Sequence, residues 1–365
     1  MMRRICKSFD IEGDFLTSTE LTTGNINSTF RVTYLKDGER RDYIIQQINT
    51  AVFVNPEKVM ENIVNVTHYV RNNIKKQHLP TRKFVLRVFL EKQTKKPYIV
   101  DDTGRYWRAY RYIENSVTYD TTDDMDIICR AGEAFGRFQN CLDGYNANDL
   151  FVTIPDFHNT IKRYSDFKVA VENDLAGRVQ YLNSEIEDIL SFEQKAIKIQ
   201  TMLKNKELPL RVTHNDTKCN NVAFDRNTGE ALAVLDLDTV MPGAIAHDFG
   251  DAIRFIANNE LEDSPEYDLV SINLDKYRAF TKGFIGEVKE SITLREAELL
   301  PYSAYLMTIE CGMRFLADYL EGDVYFGIKY PEHNLVRART QIKLAGEMQA
   351  QEEKMKEIVF AILNK

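Results

Sequence analysis

Apolar and polar positions alternate along the first third of the chain. Phe30, Val32 and Tyr34 fall on one face of residues 27–35, Asp37-Gly38 turns the chain, and residues 43–48 return. A period of two closed by an Asp-Gly turn predicts a β-hairpin. The period lengthens after Asn55. Pro56 suits a first helical turn, and Val59, Ile63, Val66 and Val70 share one side of the helix beyond it. Residues 84–90, 98–100 and 106–113 read as three more strands, with a turn at Asp102-Thr103-Gly104.

Helical spacing takes over from Asp123, with Ile127, Ala131, Phe135, Phe138 and Leu142 in one stripe. Ser184 with Glu187 has the spacing of a capping box before Ile186, Ile189, Leu190, Ile197 and Met202. Thr293 with Glu296 repeats it and opens a long helix through Leu320, and a last helix is expected over residues 334–363. The order predicts a two-lobed α+β fold. Residues 1–113 form a small, mostly antiparallel β lobe with one helix, and residues 114–365 a larger, mainly helical lobe. The change near Tyr112 to Asn115 carries no Pro- or Gly-rich linker, which favours a tight hinge over independent domains.

One polar stretch interrupts the helical half: Thr213-His214-Asn215-Asp216-Thr217-Lys218-Cys219-Asn220-Asn221. Apolar residues 208–212 run into it and Val222-Ala223-Phe224 run out. Asp225-Arg226-Asn227-Thr228-Gly229 then reads as a turn, and residues 231–235 as a buried strand ending at Asp236. Asp216 and Asn221 have the D-x-x-x-x-N spacing of a kinase catalytic loop. Asp236 comes 20 residues after Asp216, a gap that suits a short hairpin returning a second carboxylate to the same place. Phosphoryl transfer needs these residue types: a carboxylate to orient a hydroxyl and take its proton, and an amide oxygen with another carboxylate to hold Mg²⁺ against nucleotide phosphates. Asp216 is the candidate base, and Asn221 and Asp236 are the candidate metal ligands. Lys218 is placed to offset the charge of the transferred group. A polar turn beside a solvated lysine is the bland alternative.

His214 is expected to point inward and brace the loop. Asp248-Phe249-Gly250 spells a second kinase triplet, but it lies 32 residues beyond Asp216 and before an apolar helix-like run. Asp248 is therefore expected to be a buried acceptor that fixes the loop backbone, and Asp251 and Arg254 to pair one turn apart. Upstream, Thr22-Thr23-Gly24-Asn25-Ile26-Asn27-Ser28-Thr29 could cover phosphates with backbone N–H groups and hydroxyls, although an ordinary hairpin reads the same way.

Composition narrows the choice of partner. The chain has 365 residues, 44% hydrophobic and 28% charged, an ordinary profile for a globular enzyme. A net charge of −8 argues against a nucleic-acid surface. Cys6, Cys129, Cys141, Cys219 and Cys311 form no CxxC pair, so neither a disulfide framework nor a zinc site is suggested, and reduced thiols in the cytoplasm are expected. Neither a signal peptide nor a membrane span is expected. The expected partner is a small molecule, and the expected assembly a monomer or weak homodimer.

With these motifs in place, the chain resembles the aminoglycoside phosphotransferase and choline kinase superfamily, and more narrowly the bacterial N-acetylhexosamine 1-kinases. The matching segments are Gly24-Asn25-Ile26-Asn27, residues 211–218, residues 236–243, Asp248-Phe249-Gly250-Asp251 and, longest, residues 310–326. The last segment points to the N-acetylhexosamine enzymes. The resemblance implies phosphorylation of the anomeric hydroxyl of GlcNAc or GalNAc with ATP and Mg²⁺. It assigns Asp216 as base beside the sugar, Arg314, Tyr325 and Asn25 as sugar contacts, and Asn221 and Asp236 to the metal. Asn25 departs from the His usual there. Gly24, Asn27, Ser28, Thr29, Gln46, Arg111 and Ile113 make up the expected nucleotide set. Gln46 stands where the superfamily usually has a cation, with Asn62 offered by the helix as its polar partner. Without the resemblance, Arg314 reads as a surface charge and Tyr325 as core packing. Other small-molecule kinases of the same fold, for choline, homoserine or an aminoglycoside, are rival readings, as is a non-catalytic nucleotide-binding module.

Overall fold

The computed structural model describes residues 1–21, 26–80 and 84–364. The alternating region forms β1 (Asp14–Leu21), β2 (Ser28–Lys36), β3 (Glu39–Gln47), β4 (Val88–Phe89), β5 (Ile99–Val100) and β6 (Tyr106–Arg111). Among the described residues these build one antiparallel sheet in the order β1-β2-β3-β6-β4, with β5 also on β6. Its outer face buries Val32, Tyr34, Ile45, Phe89 and Trp107 against α1 (Met2–Ser8). Nothing in the hydrophobic pattern announces α1, which is only seven residues long.

α2 (Pro56–Lys76) starts with proline in its first turn, as expected, and buries Val59, Ile63, Val66 and Val70. That stripe belongs to the core of the helical lobe, so α2 is packed from below and ties the two lobes together. Asn62 does the same with polar groups. Its Nδ2 donates to the carbonyls of Phe151 (2.8 Å) and Val240 (3.0 Å), and its Oδ1 accepts from Phe151 N–H. It is therefore not the partner of Gln46. Residues 84–90 are also not one strand. Only Val88–Phe89 pairs with β6, while Val85 and Leu86 turn into the large core.

Beyond β6, β7 (Ser116–Val117) joins β9 (Val222–Asp225) and β10 (Ala231–Val234) in a second sheet, and β8 (Arg211–Thr213) pairs with β11 (Met241–Gly243). The helices are α3 (Met125–Cys141), α4 (Thr160–Asn173), α5 (Asn183–Ser191), two short ones (Glu193–Ala196, α6; Lys198–Lys204, α7), α8 (Ile245–Ile256), α9 (Leu274–Val288), α10 (Leu294–Glu321), α11 (His333–Ala350) and α12 (Glu352–Leu363). Thr293 and Glu296 make the expected capping box on α10. Ser184 makes none. α5 begins at Asn183, soon after the turn Val179–Tyr181, so Leu182 takes the N-cap position and Ser184 falls inside the first turn. The last helix is two, bent at Gln351, which lets Met355, Ile358 and Val359 of α12 bury.

Glycine sets two helix crossings. A Cβ on Gly283 of α9 would sit 1.9 Å from the Cys129 carbonyl of α3, and one on Gly250 of α8 would sit 2.3 Å from the Ser303 carbonyl of α10. The glycine of the Asp-Phe-Gly triplet is thus a helix-packing residue.

Candidate active site

The polar stretch leaves β8 and turns at Asn215, whose φ of +64° lies in the left-handed region that Asn tolerates. Two acids on α8 hold the backbone on either side of that turn. Asp248 is 2% exposed and accepts from the backbone N–H of His214 (2.9 Å) and Asn215 (2.8 Å) and from Gln139 Nε2 (2.6 Å). Burial pushes its carboxyl pKa up, against those donors. Asp251 accepts from Thr217 N–H at 2.8 Å and pairs with Arg254 at 3.0 Å. Burial raises its pKa, but Arg254 and Lys218 outweigh that and hold it below the carboxylate range. The sequence reading of Asp248 as a backbone clamp and of the Asp251–Arg254 pair matches this geometry.

His214 is fully buried between Phe135 and Phe138. Its Nε2 lies 2.7 Å from the Leu235 carbonyl, while its Nδ1 accepts from Asp216 N–H at 3.3 Å. The proton is therefore on Nε2, and the ring joins the loop to the segment carrying Asp236. Thr239 and Asn215 add reciprocal bonds across the same gap: Thr239 Oγ1 donates to the His214 carbonyl, and Asn215 Nδ2 to the Thr239 carbonyl.

This scaffold brings four predicted residues together. Asp216 lies at the cleft, its side chain 28% exposed, with Lys218 Nζ 3.0 Å from one carboxylate oxygen and Asn221 Nδ2 3.0 Å from the other. The Asp216 carboxylate raises the Lys218 pKa above its ordinary value. Asp236, at φ +52°, closes the group. Its pKa is pushed up to about 7, first by desolvation, then by the negative charges of Asp238 and Asp216. The residue is nonetheless exposed, so water screens part of that push. A carboxylate crowded by like charges, beside an Asn221 side-chain oxygen with no hydrogen-bond partner among the described residues, is an oxygen donor set suited to a hard divalent cation.

The nucleotide candidates fall out differently. Gly24 and Asn25 lie outside the described residues. Thr29, Gln46 and Arg108 are aligned across β2, β3 and β6. Gln46 Nε2 donates to Thr29 Oγ1 (2.9 Å), and Gln46 Oε1 accepts from Arg108 Nε (3.0 Å). Asn27 Nδ2 donates to Asp238 at 2.7 Å. Ser28 is exposed and makes no side-chain bond among the described residues. Strand alternation puts the Arg111 side chain on the face of Trp107 and Ala109, opposite Arg108. The Ile113 carbonyl accepts from Ser116 Oγ at 2.6 Å. The structure therefore gathers Asn27, Thr29 and Gln46 and turns the Arg111 side chain to the opposite face of the sheet.

Arg108 escaped the sequence reading. It is 1% exposed and forks onto Asp238, 3% exposed, across the lobe boundary. The available signal was a charge set inside the apolar run Tyr106-Trp107-Arg108-Ala109-Tyr110.

On the other side, Arg314 projects from α10 toward the rings of Phe326 (5.4 Å), Phe157 (5.6 Å) and Tyr325 (5.9 Å). It makes no hydrogen bond or ion pair among the described residues. Arg163 lies near enough for burial and the Arg314 charge to lower its pKa. Tyr325 is 63% exposed, so it is not core packing. Its loop is held by another acid the sequence reading passed over, Asp318, which accepts from the backbone N–H groups of Val324 (2.9 Å), Tyr325 (2.7 Å) and Phe326 (2.9 Å). Burial pushes the Cys311 thiol pKa up, against the nearby charges of Arg254 and Arg314. One turn before Arg314, Glu310 bonds His158 (2.7 Å) and Thr160 (2.8 Å).

Comparison with known proteins agrees with this architecture. The profile described as the phosphotransferase enzyme family matches residues 17–280. Among solved structures, a choline kinase from Cryptosporidium parvum aligns over 100% of this chain and 99% of its own, at 12% identity and a TM-score of 0.54. A Plasmodium vivax ethanolamine kinase aligns over 89% and 82%, at 12% and 0.53. A spectinomycin phosphotransferase in complex with ADP and spectinomycin aligns over 99% and 97%, at 13% and 0.51. At such identities the structural likeness speaks for the fold.

Proposed function

The chain belongs to the phosphotransferase enzyme family, and within it we propose an ATP-dependent kinase acting on the anomeric hydroxyl of an N-acetylhexosamine, GlcNAc or GalNAc. The observation that carries the choice of acceptor is the unpaired Arg314. A guanidinium with no carboxylate partner, flanked by aromatic rings and with a second cation nearby, repels choline or an aminoglycoside. It suits a neutral, hydroxyl-rich acceptor whose oxygens take directional hydrogen bonds from it. The rings offer an apolar face for a sugar. The resemblance of residues 310–326 to the N-acetylhexosamine enzymes supports the same reading.

In this reading Asp216 accepts the proton of the attacking hydroxyl. Lys218 and Asn221 each engage one of its oxygens, which fixes the carboxylate and leaves acceptor positions open, since each oxygen takes more than one donor. Asn221 and Asp236 would hold Mg²⁺. ATP, when bound, supplies the phosphoryl group, and Mg²⁺ neutralises its charge. Lys218 offsets charge beside the base. Because the loop backbone is fixed by Asp248 and Asp251, little reorganisation remains for the transition state.

A coupled ADP-release screen over GlcNAc, GalNAc, glucose, galactose and choline tests the assignment. Turnover with the two N-acetylated sugars well above the others is expected. Turnover of choline with none of the sugars would sink it.

A further inference from the structure

Asp238 has no part in the chemistry of phosphoryl transfer, yet it is among the most heavily bonded acids in the molecule. Both its oxygens meet Arg108 of β6, and Oδ2 also accepts from Asn27 Nδ2 at 2.7 Å. Asn27 in turn accepts the Asn49 N–H at 2.9 Å. Arg108 is itself aimed by Gln46, and Gln46 by Thr29. The turn before β2 and the middle of β6 thus meet directly at one carboxylate, on the segment that presents Asp236 two residues earlier, and the end of β3 joins them through Gln46.

Stability alone is a weak reason for such a cluster, because desolvating two charges offsets most of their attraction. Position is a better one. The pair is the direct charged link between the small-lobe sheet and the metal-side segment, and the fork geometry of arginine fixes direction as well as distance. We propose that Arg108 and Asp238 are positioning residues for nucleotide binding, clamping the turn at Asn27 and the Asp236 segment at a fixed separation across the cleft. The proposal rests on the kinase reading. Neither residue needs to touch the nucleotide, and Arg108 is too buried to do so without moving.

The test uses the full chain and ADP with Mg²⁺ as the probe. Removing Arg108 alone strands a buried charge and can unfold the protein, so the main variant is the neutral pair Arg108→Gln with Asp238→Asn. Its ADP affinity, read from ADP-dependent melting shifts, should fall about tenfold or more, and its ATP KM should rise while its sugar KM stays within about twofold. Binding within about twofold of the unmodified chain would overturn the proposal, as would an equal rise in both KM values. If the double variant shows no cooperative melt, Arg108→Lys replaces it. Lysine keeps the charge but loses the fork, so several-fold weaker ADP binding is expected and unchanged binding is equally fatal. Absence of any ADP-dependent shift in the unmodified chain would instead remove the kinase reading and this inference with it.

Discussion

The loop around Asp216 and the loop around Tyr325 are built by the same device and finished in opposite ways. In each, a buried aspartate on a helix collects consecutive backbone N–H groups: Asp248 those of His214 and Asn215, Asp318 those of Val324, Tyr325 and Phe326. The side chains presented then differ. Asp216 is already engaged by Lys218 and Asn221. Arg314 and Tyr325 make ring contacts and no side-chain hydrogen bond among the described residues. A preorganised reacting group keeps its geometry whatever is bound, whereas unpaired donors wait for an acceptor and reject partners that cannot supply one. On the proposed function the first loop carries the chemistry and the second the selection of acceptor.

The sharpest way to break the comparison is Asp216→Asn. The amide keeps its shape but cannot accept the hydroxyl proton, so kcat should drop by roughly 10²–10⁴ while ADP-dependent melting shifts persist. A loss smaller than about tenfold would show that Asp216 is not the base.

Asp248→Ala and Asp236→Ala separate the frame of the first loop from its contents. Loss of Asp248 orphans two buried backbone N–H groups, each worth roughly 1–3 kcal/mol, and leaves the Gln139 amide only its bond to the Val212 carbonyl. Its melting temperature should fall steeply. Asp236→Ala should melt near the unmodified chain and lose the Mg²⁺-dependent part of nucleotide stabilisation. Calorimetry with and without Mg²⁺-ADP distinguishes them, and the reverse pattern would exchange their roles.

On the second loop, Arg314→Ala should raise the sugar KM roughly 5- to 150-fold, equivalent to about 1–3 kcal/mol for a missing buried donor, with little change for ATP. Tyr325→Phe should do less, since only a hydroxyl at an exposed position is lost. A rise confined to the ATP KM would move Arg314 to the nucleotide side.

The smallest expected effect concerns the buried histidines behind the acceptor patch. His247, 5.1 Å ring to ring from His158, has its pKa lowered from 6.5 to about 3 by burial and then by His158. A folded pKa below the unfolded one means that only the unfolded chain takes up this proton between pH 6.5 and 3, so stability falls as pH falls through that window. At pH 5 the loss reaches roughly 2 kcal/mol. Glu310 is lowered to about 2: burial raises it, but His158, Thr160 and Arg163 outweigh that, so its stabilisation is lost only below about pH 4.5. Denaturant melts at pH 7 and pH 5 should therefore show a smaller acid loss in His247→Gln. An equal loss would mean that His247 takes up its proton in the folded state.

Legibility in the sequence depends on range. Residues 213–221, the turn at 225–229 and the Thr293–Glu296 box are local patterns whose partners lie within a few residues, or within one hairpin, and the structure places them as read. Arg108 with Asp238 spans 130 residues, and nothing near either of them announces the other. Ser184 shows the converse error, where the cap spacing is correct but the helix already begins at Asn183, so Ser184 lies inside its first turn rather than at the N-cap. The bend at Gln351 was invisible because both halves keep helical spacing, and only the packing of Met355 and Val359 chooses between one rod and two.

The absent side chain at Gly250 has a consequence for how this scaffold diversifies. With the Ser303 carbonyl 2.3 Å from where a Cβ would stand, no side chain fits at position 250 unless α8 and α10 move apart. The distance between the loop that α8 carries and the residues that α10 presents is in effect a gauge block machined into the molecule. Residues 322–330 lie beyond the end of α10, so changes there leave that spacing untouched. On the proposed function, acceptor preference can therefore be retuned around Tyr325 without disturbing Arg314 on α10 or the Asp216 loop.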